Sequence, residues 1–198
     1  VATLKGSELY QVPFQRDWLP LGADNWSADA AAVEAVARLV EEGYTDINWY
    51  IIGGGPIEND IKEQIAACKM EKHIFMLGMK NNPYPYMKKC DLFIQPSLFE
   101  GYSLSIMEAK ILCAPILATY AAVESQIENG VDGFLCDTNA ESVYENILRF
   151  YKNRAELEKV YDFELNMGGG HIEGYFVEDY QAVIGKFNSV DTLFDATA

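Results

Sequence analysis

The stretch from Gln95 to Lys110 reads Q-P-S-L-F-E-G-Y-S-L-S-I-M-E-A-K, and its pattern decides the fold. It follows the mostly apolar run Asp91 to Ile94, which has the length and flanks of a short buried strand. A turn with proline, serine and glycine comes next, and apolar residues at helical spacing follow it. A strand, a glycine-bearing turn and a helix in succession favour anion binding, because the first amides of a helix have no partner inside it.

Two carboxylates flank that predicted anion site. Glu100 lies in the turn before the helix, and Glu108 lies more than one turn inside it. A carboxylate accepts two hydrogen bonds side by side, so it suits a pair of neighbouring sugar hydroxyls. Anion-binding amides beside hydroxyl-binding carboxylates are what a sugar nucleotide needs. The alternative, from spacing alone, is that Glu108 is a solvated helix residue of an acidic protein.

Composition and charge favour one folded domain of ordinary size, with or without an appended tail. The chain has 198 residues, of which 49% are hydrophobic, enough for a full core. Its formal net charge is −15, and a field of that sign repels polyanions, so nucleic acid and anionic membranes are poor partners. No apolar run approaches the length of a membrane span, and we expect no signal peptide. We therefore expect a cytoplasmic protein.

The cysteines and histidines do not predict a metal site. The four cysteines are 22 or 23 residues apart and form no C-x-x-C pair, and His73 and His171 are not at ligand spacing. We expect reduced, buried thiols and no zinc.

Strands and helices alternate along the middle of the chain. Further buried-strand patterns occur at Ile47–Ile52, His73–Leu77, Pro115–Thr119 and Gly133–Cys136. The alternation predicts an α/β fold, a Rossmann-like parallel sheet with helices on both faces.

Three predicted site segments each follow a strand of that sheet. They are the glycine turn Gly53–Gly55, Met79 and the segment Glu100–Ser103. Ligands of such sheets bind at the carboxyl ends of the strands. We expect the three segments to line one cleft at that edge.

The two ends of the chain are less regular than its middle. The first 46 residues are atypical, with a predicted strand at Val1–Leu4 and an aromatic- and proline-rich stretch from Tyr10 to Trp26 that has no clear period. Gly168–Gly170 predict a flexible joint. We expect a single Rossmann-like nucleotide-sugar-binding domain over residues 1–167, then a glycine joint with a C-terminal helix and tail over residues 168–198.

Six sequence blocks stand in order between about Ile47 and Asn153: W-Y-I-I-G-G-G-P, F-M-L-G, P-Y-M-K-K-C-D-L-F-I-Q-P-S, F-E-G-Y-S-L-S-I-M-E-A, P-I-L-A-T and E-S-Q-I-E-N-G-V-D-G-F-L. In order and spacing they resemble the C-terminal, donor-binding domain of the retaining GT-B glycosyltransferases, specifically glycosyltransferase family 4 (group 1). The pattern of two glutamates separated by seven residues, at Glu100 and Glu108, matches that family's signature.

The resemblance implies that a sugar passes, with retention, from a nucleotide-sugar to a glycan or other acceptor in polysaccharide biosynthesis. It implies no metal and no other cofactor. By position, Glu100 resembles the glutamate that contacts the donor-sugar hydroxyls and is the predicted catalytic residue, while Glu108 resembles the one that holds the ribose. The predicted donor-binding set is Gly54, Met79, Glu100, Gly101, Tyr102, Ser103, Leu104 and Glu108. In that set the amides from Gly101 to Leu104 meet sugar and diphosphate, and Met79 lies where the base is cradled.

Two departures from the family pattern qualify that implication. The family places an arginine and a lysine on the diphosphate, but Lys5, Arg16 and Arg38 are the only cations before Ile47, and none has the family context. The chain is also too short for the family's N-terminal, acceptor-binding domain. We therefore expect an excised or rearranged domain that is inactive alone. The alternatives are a non-catalytic nucleotide-sugar-binding module and an engineered or chimeric scaffold of the same fold.

Overall fold

A parallel sheet forms the centre of the structure, a computed structural model that describes residues 7–11, 26–98, 103–120 and 125–159. Within these residues, the sheet consists of β1 (Ser7–Gln11), β2 (Ile47–Ile52), β3 (Ile74–Gly78), β4 (Leu92–Gln95), β5 (Ile116–Thr119) and β6 (Phe134–Cys136). The helices that connect and cover these strands are α1 (Trp26–Glu41), α2 (Glu58–Ala67), α3 (Tyr84–Lys89), α4 (Leu104–Ile111) and α5 (Ala140–Lys152). Every strand pairing is parallel.

The strand order reverses in the middle of the sheet. The order is β3-β2-β1-β4-β5-β6, so the first three strands build outward in one direction and the last three in the other. The reversal lies between β1 and β4, which pair at Leu9 with Leu92 and at Tyr10 with Phe93. In doubly wound sheets this switch point opens a crevice at the carboxyl ends of the strands, where ligands bind.

Two hydrophobic clusters cover the two faces of the sheet. Side chains alternate along a strand, so Leu92 and Ile94 belong to the cluster beneath α1, α2 and α5. Phe93, between them, belongs to the cluster beneath α3 and α4. The predicted Rossmann-like parallel sheet with helices on both faces is therefore confirmed.

The first strand of the described sheet was not predicted from the sequence. The prediction at Val1–Leu4 lies outside the described residues, whereas β1 occupies Ser7–Gln11 and pairs with both β2 and β4. A central parallel strand usually reads as a continuous apolar run, and S-E-L-Y-Q does not. Two flanking strands can supply its hydrogen bonds whatever its sequence pattern. The joint at Gly168–Gly170 and residues 168–198 also lie outside the described part, so the boundary at residue 167 stays a prediction.

Candidate functional site

The connection from β4 to α4 leaves the sheet at the switch point. β4 ends at Gln95, and α4 begins at Leu104 after its cap, Ser103. The Thr119 hydroxyl, at the end of β5, donates a hydrogen bond to the Ser97 carbonyl and so ties this connection to the neighbouring strand. The predicted catalytic residue Glu100 and the predicted donor-binding residues Gly101 and Tyr102 lie outside the described residues.

Ser103 caps α4, and its own amide has a protein partner. Its hydroxyl accepts a hydrogen bond from the Ile106 amide at 3.3 Å, which satisfies one of the first-turn donors. The Ser103 amide donates to Oε1 of Gln126 at 2.6 Å, although the sequence assigned that amide to a ligand. The amides of Leu104 and Ser105 occupy the first turn, where helix geometry supplies no internal acceptor. They are the described first-turn amides of α4 next to the Ser103 cap.

Glu108 is held in place by a buried tyrosine. The Tyr84 hydroxyl donates to Oε1 of Glu108 at 2.9 Å, linking α3 to α4. Tyr84 is only 6% exposed, and Glu108 is half-buried. Burial, and secondarily the Glu108 carboxylate, raises the pKa of Tyr84 well above its usual value, so the hydroxyl remains a donor over the physiological range. Glu108 therefore differs from a solvated helix residue.

Gly54 and Met79 come together at the ends of β2 and β3. A Cβ added at Gly54 would lie 3.9 Å from Cγ of Met79. The Gly53 amide donates to the Gly78 carbonyl at 3.1 Å and fixes the two strand ends to each other. Met79 is 69% exposed, so an apolar thioether side chain stands open to solvent beside a glycine turn.

These pieces share one edge of the sheet. β1 alone separates β2 from β4, so the carboxyl ends of β2 and β4 are two strand spacings apart, about 10 Å. The large hydrophobic side chains that stand exposed in the described part of the chain are Met79, Leu104 and Tyr120. All three lie in segments that follow the carboxyl end of a strand, which is the edge where ligands of such sheets bind.

Three residues of this region were not identified from the sequence. Tyr84 orients Glu108, Gln126 binds the main chain of Ser103, and Lys110 binds the loop that carries Gln126. Gln126 stands in the E-S-Q-I-E-N-G block, and Tyr84 stands just before the P-Y-M-K-K block. The motifs mark their neighbourhood, but no spacing rule links residues that are 16 to 24 positions apart in sequence.

The described residues contain no cluster of three or more histidine, cysteine, aspartate or glutamate side chains placed to hold a metal ion. None of the helices in the described ranges is long and apolar enough to cross a membrane. Independence from metal and cofactor stays a prediction.

Comparison with known proteins finds relatives among the glycosyltransferases. Over 96 residues the chain is 32% identical to an N-acetylgalactosamine-N,N'-diacetylbacillosaminyl-diphospho-undecaprenol 4-alpha-N-acetylgalactosaminyltransferase from Campylobacter jejuni. That match covers 48% of this chain and 25% of the Campylobacter enzyme, so the chain spans only part of that relative's length.

Two solved structures share the fold. One is the pneumococcal O-GlcNAc transferase GtfA in complex with UDP and GlcNAc, with a TM-score of 0.69 and 18% identity over 94% of this chain and 35% of that one. The other is the C-terminal domain of a glycosyl transferase group 1 family protein from Francisella tularensis, with a TM-score of 0.66 and 15% identity over 81% of this chain and 83% of that one.

The sequence profile of one family, described as "Glycosyl transferases group 1", matches residues 30–163, which is more than half of the chain. The matched segment runs from α1 to just beyond α5 and includes the switch-point connection, the glycine turn and Glu108. This chain belongs to the glycosyl transferases group 1 family.

Proposed function

We propose that this chain is the donor-binding domain of a retaining glycosyltransferase that moves a sugar from a nucleotide-sugar to a glycan or other acceptor. One observation carries the proposal: Tyr84 holds the carboxylate of Glu108, in the second turn of α4, the helix that follows the switch-point strand β4. Family membership supports the reaction class, and the pneumococcal relative of the same fold has UDP and GlcNAc in its structure.

The described groups suit the parts of a nucleoside diphosphate. Glu108 accepts hydrogen bonds from the two ribose hydroxyls, because a carboxylate offers two oxygens side by side. The first turn of α4, including the Leu104 amide, faces the diphosphate with the positive end of the helix dipole. Gly54 and Met79 take the base, since a thioether packs well on an aromatic ring and the glycine leaves room for it.

The diphosphate needs this local compensation because the chain carries a formal net charge of −15. The family's arginine and lysine partners have no counterpart that the sequence identifies. Helix amides and the dipole of α4 therefore provide the leaving-group stabilisation, without a metal ion. Glu100 contacts the donor sugar, and the departing diphosphate takes the acceptor's proton.

The placement as a C-terminal domain belongs to the same proposal. The match covers 81% of this chain and 83% of the Francisella C-terminal domain. In this arrangement the exposed edge with Met79, Leu104 and Tyr120 faces an acceptor-binding domain. The acceptor is held from that side.

Calorimetric titration with UDP tests the proposal. Wild-type chain should bind UDP, and Glu108→Gln should bind about tenfold more weakly or worse, since one charge-assisted hydrogen bond amounts to roughly 1.5–3 kcal/mol. The glutamine still accepts from Tyr84, so the free energy of unfolding should change by less than about 0.5 kcal/mol. Glu145→Gln, an exposed glutamate on α5, is the matched control and should bind as wild type does.

The outcomes separate the alternatives. Equal binding by wild type and Glu108→Gln would refute the ribose assignment. Absence of binding for UDP, ADP and GDP alike would favour a scaffold that has kept the fold and lost the ligand. A non-catalytic module would bind UDP and hydrolyse no nucleotide-sugar even in the presence of an acceptor-binding partner domain.

A further inference from the structure

The side chain of Gln126 forms hydrogen bonds with both main-chain groups of Ser103. The Ser103 amide donates to Oε1 of Gln126 at 2.6 Å, and Nε2 of Gln126 donates to the Ser103 carbonyl at 3.0 Å. Because its primary amide makes both of these bonds, Gln126 pairs with Ser103 in the way that a residue of a neighbouring strand would. Ser103 is fully buried, so its amide requires a partner, and Gln126 supplies it. The Ser103 carbonyl also accepts from the Met107 amide at 3.3 Å, so its bond from Gln126 is a second one. The position of the α4 cap is therefore set by a residue 23 positions further along the chain.

Lys110 fixes the segment that presents Gln126. Its ammonium donates to the Gln126 carbonyl at 2.5 Å and to Oδ2 of Asp132 at 2.5 Å. Lys110 is 7% exposed, so these bonds are shielded from water. Oδ1 of Asp132 also accepts from the Glu128 amide at 2.8 Å, which closes the turn between the two anchor points. The loop 125–133 therefore has a fixed shape against α4.

The same loop holds α4 at both ends. Ser103 caps the first turn, and Lys110 lies in the last turn of this helix, which extends from Leu104 to Ile111. Eight residues of helix span about 12 Å. The first turn cannot move without breaking the Gln126 bonds, and the loop cannot move without breaking the Lys110 bonds.

This arrangement fixes a conformation in addition to satisfying the buried Ser103 amide. Ser103 already caps the helix through its own hydroxyl. A buried ion pair such as Lys110 with Asp132 is weak evidence of stabilisation, because apolar residues of similar size often replace such a pair without loss. Buried polar contacts of defined geometry can instead impose one conformation. The conformation imposed here is that of the helix turn assigned to the diphosphate.

We propose that Gln126, fixed by Lys110, is a positioning residue that holds the first turn of α4 in the geometry required to bind the donor diphosphate. This inference rests on the proposed function. It predicts that losing the Gln126 bonds weakens the contacts with phosphate and leaves the contacts with ribose and base intact. Glu108 should show a different pattern, because its contacts are with ribose.

The test compares UDP with uridine by NMR titration of wild type, Gln126→Met and Glu128→Gln. Methionine has nearly the volume of glutamine but forms neither bond, and Glu128 is an exposed residue of the same loop. Gln126→Met should bind UDP about tenfold more weakly, the equivalent of one hydrogen bond to a charged group. The affinity of Gln126→Met for uridine should stay within about twofold of wild type, because this change reaches no ribose or base contact. Glu128→Gln should bind both UDP and uridine within about twofold of wild type.

Each outcome decides the inference. An unchanged UDP affinity in Gln126→Met overturns it while leaving the proposed function intact, and an equal loss for uridine and UDP shows a merely structural role. If wild type binds no UDP, the proposed function and this inference fail together, which the wild-type titration alone reveals. Should Gln126→Met fail to fold, Asp132→Asn removes the charge that fixes Lys110 and keeps the side-chain shape. It must then show the same selective loss for UDP.

Discussion

Replacing Tyr84 by phenylalanine removes one hydroxyl and keeps the buried ring. The lost contact is the 2.9 Å hydrogen bond to Oε1 of Glu108. Glu108 is half-buried, so water can replace part of this bond, and we expect a loss of about 1 kcal/mol in the free energy of unfolding. The larger consequence concerns the ligand, because the carboxylate would no longer be held in one orientation before the ribose arrives.

The effect on binding follows from that lost orientation. Ordering a side chain on binding costs about 0.5–1.5 kcal/mol, so Tyr84→Phe should weaken UDP binding about two- to tenfold. The loss should be smaller for 2'-deoxy-UDP, which lacks one of the two hydroxyls assigned to Glu108. Calorimetry with both nucleotides measures the affinities, and urea unfolding measures the stability.

A second tyrosine–carboxylate pair supplies the control. The Tyr151 hydroxyl donates to Oδ1 of Asp46 at 2.6 Å, and Tyr151 packs against the cluster on the α1, α2 and α5 face. Tyr151→Phe should lose a similar amount of stability and bind UDP as wild type does. The reasoning is refuted if Tyr84→Phe keeps full UDP affinity and full discrimination against 2'-deoxy-UDP, or if Tyr151→Phe weakens binding equally.

Three further predictions concern the glycine turn, a buried thiol and catalysis. Gly53 has a φ of +137°, so Gly53→Ala should cost about 1–3 kcal/mol of unfolding free energy in urea titrations. Gly54→Ala should cost less than about 0.5 kcal/mol of unfolding free energy, because the nearest atom to its new Cβ, at 3.1 Å, is the flexible end of Glu58. It should weaken UDP binding instead. A larger loss of stability in Gly54→Ala than in Gly53→Ala, with UDP binding unchanged, would contradict the assignment of this turn. Burial, with a smaller contribution from Asp137, raises the pKa of the Cys136 thiol from 9.0 to about 12, so its stabilising effect is complete below pH 9 and is lost as the pH rises toward 12. Between neutral pH and about pH 10.5, the free energy of unfolding of wild type should therefore fall by about 2 kcal/mol more than that of Cys136→Ala. If the two proteins lose stability in parallel over this range, the thiol is not shielded from water. The chain alone should transfer no sugar from a panel of nucleotide-sugars to added acceptors. The residues assigned in the proposed function are assigned to the donor, and transfer also requires a positioned acceptor. Rapid transfer would contradict this prediction.

Most of the fold is predictable from the sequence because each strand from β2 onward is a short apolar run between turn residues. The run Ile47–Ile52 matches β2 without any shift, and the prediction at Pro115–Thr119 differs from β5 by one residue. β1 was missed because S-E-L-Y-Q has no apolar run, and its place in the sheet depends on pairing with β2 and β4. Such pairing is a property of the whole sheet, which local periodicity does not report.

The site is predictable only in part, for a related reason. Two glutamates at fixed spacing and a glycine turn after a strand are local signals, and they led to Glu108 and Gly54. The structure brings Gly54 and Met79 together, as expected for the ends of neighbouring parallel strands. The contacts of Tyr84 and Gln126 join segments 23 or 24 residues apart, so only the folded chain reveals them.

A crystal structure of this chain grown with UDP tests the central claim most directly. The account predicts a ribose hydroxyl within hydrogen-bonding distance of a Glu108 carboxylate oxygen, about 2.5–3.0 Å between oxygen atoms. It also predicts the diphosphate at the first turn of α4 and the base beside Gly54 and Met79. UDP ordered elsewhere on the chain, with Glu108 still bound only to protein, would contradict the account.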